Sequence, residues 1–272
     1  MMALALVMGM SQCKKDEQTA SNNNGEKPIL TVSIGNDSKL WLGPQQNGLI
    51  PVYWNNNDYV YVAVNGKCLG YLVSEGVTFP GNWANFTGYP STFNPEGLQA
   101  GDLMELYVLG GVEQNIIPVT NGTDYATISY ANQSAKPTVI SHGVVDKVYN
   151  PNDPEEHYHC DTLVNMNALV KFSVEGANTD VPITICGVKT QSVVSFDGTI
   201  VNSDEEGNIV TFRGVNTYGG QNNTRYAVVP SNQRATSGNI IATGFTGTYE
   251  IYEGAYGTNS VMRGKITLTP AK

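Results

Sequence analysis

The run YVYVAVNGKCLGYLV, residues 59–73, decides the fold class. Tyr59 to Val64 and Leu69 to Val73 are dense in valine, tyrosine and leucine, side chains that suit a pleated and half-buried surface, and Asn65-Gly66 between them is a turn signal. The same pattern continues outward in both directions. Ile29 to Ile34, Leu103 to Leu109, Ala126 to Tyr130 and Thr138 to Ile140 read as strands of the first half. Leu163 to Val174, Val181 to Lys189, Thr199 to Asn202, Ile209 to Arg213, Tyr226 to Val229, Asn239 to Thr243, Thr248 to Tyr252 and Lys265 to Thr269 read as strands of the second. Pro80-Gly81, Asn94-Pro95 and Glu206-Gly207-Asn208 punctuate them. Asp197-Gly198, between Val193 to Phe196 and Thr199 to Val201, predicts a hairpin with a type I′ turn, whose two central residues both need positive φ. No window sustains a 3.6-residue apolar period, so helices are expected to be short and peripheral. The predicted fold class is all-β.

The 272 residues suit one large or two ordinary domains. The division expected is an N-terminal β-sandwich over 28–150, a linker over 151–162 and a C-terminal β-sandwich over 163–272. Tyr149 to Thr162 carries two prolines, acids and histidines without periodicity, so it reads as the crossover, with one helical turn at Pro154 to His157. Net charge is −9, and the 15 basic residues are scattered. Such a chain has no stripe with which to displace counterions from a phosphate backbone, so nucleic acid is excluded as a partner.

Met1 to Met10 is an apolar run too short to span a bilayer, and Ser11, Gln12 and Cys13 follow it before the chain turns abruptly polar. Residues 1–12 read as a lipoprotein signal peptide, with Cys13 as the residue to be lipidated. An anchor of two or more acyl chains holds stably where one holds weakly. Residues 13–27 cannot bury enough apolar surface to fold and read as a flexible tether. The other cysteines, Cys68, Cys160 and Cys186, are odd in number and contain no C-x-x-C, so no closed disulfide framework is expected. Cys186, inside the apolar run Val181 to Val188, is expected to be a small buried hydrophobe.

Chemistry-bearing motifs are sparse. G-x-S-x-G, the P-loop, G-x-G-x-x-G after a strand and H-E-x-x-H are all missing. Asn202, Asp204, Glu206 and Gly207 imitate the start of a calcium loop, but Arg213 stands where a bidentate glutamate should bind, so a solvated turn is expected. His157, His159 and Cys160 are metal-ligand types lying close together, but they fall short of the four ligands zinc wants. Ser141-His142 and the carboxylates make no recognisable hydrolase on their own. No catalytic residue, metal or cofactor is expected, and the chain does not read as an enzyme. Trp41, Trp54 and Trp83, if exposed, would offer a sugar-stacking surface, so a glycan-binding surface lipoprotein is the alternative function.

Six segments together resemble one family. Trp54-Asn55-Asn56-Asn57-Asp58-Tyr59 leads into an alternating-valine strand, Asn85-Phe86-Thr87-Gly88 ends another, and Ala100-Gly101-Asp102-Leu103 with Tyr107 opens a third. Ile128-Ser129-Tyr130-Ala131-Asn132-Gln133, Asn167-Ala168-Leu169-Val170-Lys171-Phe172 and Tyr226-Ala227-Val228-Val229-Pro230 follow in order. Residues 50–230 thereby resemble the fimbrillin-like, or type V pilin-like, surface lipoproteins of Bacteroidetes-type bacteria. The resemblance implies two tandem Greek-key, transthyretin-like β-sandwich domains behind a lipidated tether. It also implies that Lys15, Asp16 and Glu17 are a surface-export signal at the outer membrane, and that the chain is a pilus subunit, anchor or tip adhesin. Partners would be other pilin-like subunits or surface ligands, met through β-strand exchange, with the membrane met through the lipid. Lys265, Ile266, Thr267, Leu268 and Thr269 form the candidate donor strand, with Ile266 and Leu268 as plugs on one face; an ordinary last strand is the other reading. One departure stands out. Polymerising members are cut after an arginine in the first domain, but the first arginine here is Arg213, so a cut near Lys27 or Lys39, or retention as an anchor, is expected instead.

Overall fold

The computed structural model describes residues 25–35, 41–42, 52–77, 83–110, 123–135, 137–153, 157–177, 179–214, 223–254, 257 and 260–272. In chain order the strands of the first half are β1 (Leu30–Ile34), β2 (Trp41–Leu42), β3 (Val52–Tyr53), β4 (Tyr59–Val64), β5 (Lys67–Glu75), β6 (Ala84–Gly88), β7 (Glu105–Leu109), β8 (Tyr125–Ser129) and β9 (Ile140–Val144). Then come β10 (Tyr158–Cys160), β11 (Val164–Asn165), β12 (Ala168–Glu175), β13 (Thr184–Lys189), β14 (Gln191–Ser195), β15 (Ile200–Asn202) and β16 (Glu206–Val210). The last are β17 (Phe212–Arg213), β18 (Thr224–Val229), β19 (Ser237–Ile241), β20 (Phe245–Glu253) and β21 (Ser260–Pro270). A 3-10 turn at Pro95–Gly97 is entered through Asn94, whose Oδ1 accepts the Glu96 N–H at 3.1 Å.

Two eight-stranded sheets carry the fold, ordered β10-β1-β6-β5-β4-β7-β9-β11 and β16-β13-β19-β20-β21-β12-β18-β17. A three-stranded sheet, β15-β14-β8, lies between the two halves of the chain, and β2 pairs with β3. The first sheet is organised by the β4–β5 hairpin, where Val64 faces Lys67 and Asn65 and Gly66 both take positive φ, 50° and 75°. That is a type I′ turn, whose twist matches the strands it joins.

Strand alternation gives this sheet two buried faces. Val60 and Val62 share one core with Val32, Ile34, Leu106 and Val108. Trp54 is fully buried there, its ring meeting Phe86 edge-on at 4.8 Å. Because β1 and β7 contribute to the same core, the sheet curls round it. At the seam Asp146 N–H donates to the His159 carbonyl at 2.8 Å and Asp146 Oδ1 accepts the His159 N–H at 3.0 Å. The opposite face, with Tyr61, Tyr107 and Ile140, belongs to a second core that also holds Phe172, Ile185, Phe196 and Ile266 from the other half. One continuous apolar interior therefore joins both large sheets.

A strap from the first half enters the second. β8 pairs antiparallel with β14 from Gln191↔Ser129 to Ser195↔Tyr125. Beyond it Tyr130 N–H donates to Thr190 O at 2.9 Å, Val210 N–H to Ala131 O at 2.8 Å and Gln133 N–H to Val210 O at 3.1 Å. The buried Gln133 side chain then meets β18 as a peptide group would: Oε1 accepts Val228 N–H at 2.9 Å and Nε2 donates to Val228 O at 2.7 Å. Nε2 also reaches the Tyr130 carbonyl at 3.1 Å.

The all-β expectation holds, with sheets in sandwich and half-barrel arrangements. Three local expectations are corrected. At Asp197-Gly198 only Gly198 has positive φ, 83°; Ser195 N–H donates to Thr199 O and Gly198 N–H to Ser195 O. This is a type I turn closed by a glycine bulge, with Asp197 Oδ1 accepting the Thr199 N–H at 3.0 Å. Within the expected crossover, Tyr158–Cys160 is a strand, β10, parallel to β1 through Val32↔Tyr158 and Ile34↔Cys160. Tyr158 and Cys160 alternate about His159 and are both buried, a short period-2 pattern masked by its polar neighbours. The helical turn expected at Pro154 to His157 falls on 154–156, outside the described residues. Cys186 is only partly covered, because the alternation that buries Ile183 and Ile185 turns it to the other face; a bulge between Cys186 and Val188, with Gly187 at φ 72°, then shifts the alternation and gives Val188 the core position.

Candidate functional site

The first and last described strands each occupy an inner slot of a large sheet. β1 lies between β6, antiparallel over Leu30↔Gly88 to Ile34↔Ala84, and β10, parallel over three residues. Leu30, Val32 and Ile34 point into the core and are 5%, 0% and 0% exposed. Ile29 N–H donates to Gly88 O and Gly35 N–H to Cys160 O, both at 2.9 Å, so hydrogen bonding continues one residue past each end of β1.

β21 lies between β20, antiparallel, and β12, parallel from Ala168↔Ser260 to Glu175↔Thr267. Met262, Ile266 and Leu268 are its buried plugs. Phe172 of β12 and Tyr249 of β20, flanking it, meet edge-on with centroids 6.1 Å apart. Thus of Lys265, Ile266, Thr267, Leu268 and Thr269, proposed as a donor from sequence, the first three are paired on both sides within their own chain and the last two are paired with β20. Ile266 and Leu268 share one face as the alternation predicts, and Lys265 pairs with Glu175 at 3.5 Å.

The principal polar cluster between the halves is Tyr107, Glu105 and His142. Tyr107 Oη donates to Glu105 Oε2 at 2.7 Å, and His142 Nε2 lies 2.8 Å from the same oxygen. The Tyr107 and His142 rings are 4.7 Å apart, and Phe196 of the β14–β15 turn meets Tyr107 edge-on at 5.1 Å. Burial, aided by the Glu105 carboxylate, pushes the Tyr107 phenol far above its ordinary value, with the Gly198 backbone N–H opposing. A phenol this firmly protonated is a hydrogen-bond donor and serves as a latch. Ser141 takes no part. As the next residue along β9 it faces the other way, and its Oγ donates to Asn165 Oδ1 at 2.7 Å.

The remaining candidates separate. His157 is exposed in a loop, while Cys160 is buried, with its thiol pushed up to about 11 chiefly by that burial. Among the described residues no three His, Cys, Asp or Glu side chains are placed to hold a metal. Asn202 Oδ1 accepts from Ser192 Oγ at 2.6 Å, and its Nδ2 donates to Ser231 Oγ at 3.0 Å. Asp204 pairs with Lys189 and Arg213 with Asp180, so the calcium-loop imitation is a set of surface links. Trp54 is buried and Trp83 is 53% exposed. The Trp41 side chain lies outside the described residues, as do Cys13, Lys15, Asp16, Glu17 and Lys39. Sequence reading missed β1 as a slot-filling plug. The signal was available in the alternation of Leu30, Val32 and Ile34 immediately after the polar tether.

No protein-family model matches the chain, and no curated protein matches it. Solved structures are loosely similar. A candidate cell adhesion protein of Bacteroides ovatus aligns with TM-score 0.46 and 12% identity over 91% of this chain and 96% of that one. A candidate cell adhesion protein of Bacteroides thetaiotaomicron aligns with TM-score 0.43 and 11% identity over 85% and 92%. A fimbrial anchor protein of Porphyromonas gingivalis aligns with TM-score 0.35 and 15% identity over 80% and 76%.

Proposed function

We propose that this chain is a non-catalytic, lipid-anchored surface protein of adhesive or fimbrial type that joins its neighbours by strand exchange. The observation that carries the reading is that the first and last described strands fill inner slots with alternate apolar plugs. A slot vacated by such a strand offers ladder partners on both sides to an incoming strand.

The two slots are not equal. β1 is tied by five register pairs to β6 and three to β10, whereas β21 has eight along β12 alone. Withdrawing Leu30, Val32 and Ile34 exposes three buried side chains, at about 1.5–3 kcal/mol each. β1 is therefore the strand more readily vacated, and the longer β21 the better equipped to fill a partner's slot. The sequence features Met1 to Met10, Cys13, and Lys15 with Asp16 and Glu17 support mooring at the outer membrane through acyl chains. With no arginine before Arg213, release of β1 falls to a cut at Lys39, since a cut at Lys27 would leave β1 in the chain.

The test is lysine-specific proteolysis of the full chain followed by light scattering. Cleavage at Lys39 should convert monomer to multimers, and excess peptide of residues 28–35 should suppress them by refilling the slot. A chain that loses β1 yet stays monomeric, or aggregates regardless of the peptide, refutes strand exchange. For the anchor, Cys13→Ser should move the protein out of the membrane fraction; an unchanged distribution refutes lipidation there.

A further inference from the structure

We propose that an open cavity at the foot of β1 is a carbohydrate site for one uncharged hexose ring. The cavity is about 310 Å³ and lies between the residues leading into β1 and the loop that precedes β10. That is the small end of the range for ligand pockets, roughly 300–1,000 Å³, and suits a single ring better than an extended chain.

Its walls supply the two kinds of contact that a sugar needs. Tyr149, Pro28, Ile29 and Pro151 give apolar surface, and an aromatic ring such as that of Tyr149 is the kind of surface that takes the C–H face of a pyranose. Asn150, Asp153 and His157 line the same space with an amide, a carboxylate and an imidazole; Asn150 Oδ1 already accepts the Asn152 N–H at 3.1 Å, so the amide meets hydroxyls through its Nδ2, beside the carboxylate and the imidazole. The uncharged class follows from charge. The protein carries −9 overall and Asp153 stands at the rim, so a sugar acid would be repelled. The described lining holds no lysine or arginine; Lys27 adjoins Pro28 along the chain, and Lys147 is seated 5.6 Å from the centroid of the Tyr158 ring.

The platform is held before any ligand arrives. Tyr149 stacks on the buried Tyr158 at 6.1 Å and 29°. On the backbone, Tyr149 N–H donates to Asp102 O at 2.7 Å and Tyr149 O accepts from Gly101 N–H at 2.9 Å. Tyr158 Oη accepts the Asn150 N–H at 3.0 Å, and Asp153 N–H donates to Asn150 O at 3.3 Å. Such pre-ordering lowers the entropic cost of binding. One wall belongs to the segment that carries β1, so a sugar seated there also opposes departure of β1; that second effect rests on the strand-exchange reading, whereas binding itself does not.

The test is titration calorimetry of the full chain against glucose, galactose, mannose and fucose and their methyl glycosides, up to about 10 mM. At least one sugar should bind, Tyr149→Ala should weaken it by about tenfold or more, and Asp153→Asn should weaken it by a smaller factor. Tyr149→Phe keeps the ring and should retain binding, which separates loss of the platform from loss of folding, and Trp83→Ala should change nothing. Absence of heat with every sugar overturns the proposal, as does binding indifferent to Tyr149→Ala. Heat that appears only after removal of residues 1–24 would identify the chain's own leader as the occupant and also overturn it. Failure here leaves the proteolysis result unaffected, so the two readings fall separately.

Discussion

Replacing Gln133 tests whether a side-chain amide can stand in for a strand. The residue is fully buried and bonds both the N–H and the C=O of Val228, itself 2% exposed. Gln133→Ala leaves both of those backbone groups without their partner in a dry setting, at about 1–3 kcal/mol per orphaned group. With the lost side-chain packing the expected cost is about 4 kcal/mol, large against the ~5–15 kcal/mol that stabilises a typical domain. Gln133→Glu is the sharper variant because shape is conserved. One oxygen of the new carboxylate can still accept the Val228 N–H, but the other then faces the Val228 and Tyr130 carbonyls with no proton to offer. Burial and those carbonyls favour the protonated form, so the folded-state pKa of the new carboxyl lies above its unfolded value of about 4.3. The variant is accordingly best off below that unfolded value and loses stability as pH rises towards the raised folded one. Urea unfolding followed by the fluorescence of buried Trp54, with hydrogen exchange at the Val228 amide, reads both effects. A Gln133→Ala loss under about 1 kcal/mol, together with a pH-indifferent Gln133→Glu, would refute the account.

Two further outcomes follow from the geometry. Gly66→Ala should cost about 1–2 kcal/mol, because Gly66 sits at φ 75° and an added Cβ would meet only Asp197 Cβ at an ordinary 3.9 Å, so the penalty is backbone strain; a neutral shift in thermal midpoint would contradict the type I′ turn. Burial pushes the Cys68 and Cys160 thiols up to about 11, and those of the Tyr130 and Tyr249 phenols to about 12. Folded values above unfolded ones mean that stability is full below the unfolded thiol value of about 8.5 and is lost as pH climbs from there towards 11, with the phenols extending the loss. Urea midpoints across that window should fall for the natural chain and fall less for Cys68→Ala with Cys160→Ala; equal slopes would remove the thiols as the cause.

Strand content was legible in the longer alternating runs, whereas the expected strand Thr138 to Ile140 shares only Ile140 with β9. Tyr59 to Val64 and Leu103 to Leu109 declare themselves because each places apolar groups on a buried face. Short edge pieces were not legible: β10 has three residues, and two of its immediate surroundings are a histidine and a masking acidic stretch. The Asp197-Gly198 turn misled because a two-residue signal cannot report which of two turns the flanking register selects. The role of Gln133 was visible only as part of a recurring segment, since nothing local reveals that Val228, 95 residues away, needs an amide. The latch of Tyr107, Glu105 and His142 was likewise hidden, being assembled across β7 and β9 and completed by a turn from the far half of the chain.

The strap has a bearing on how this protein can be dissected. A fragment beginning at Leu163 would keep β14 yet forfeit residues 125–133, stripping one flank of that strand of its hydrogen-bonding neighbour and baring Val210 and Val228. A fragment ending at Asn150 would keep the strap with nothing to grip, and would lose β10 from beside β1. Neither piece inherits a complete set of partners, so each is expected to be less stable alone than within the whole chain.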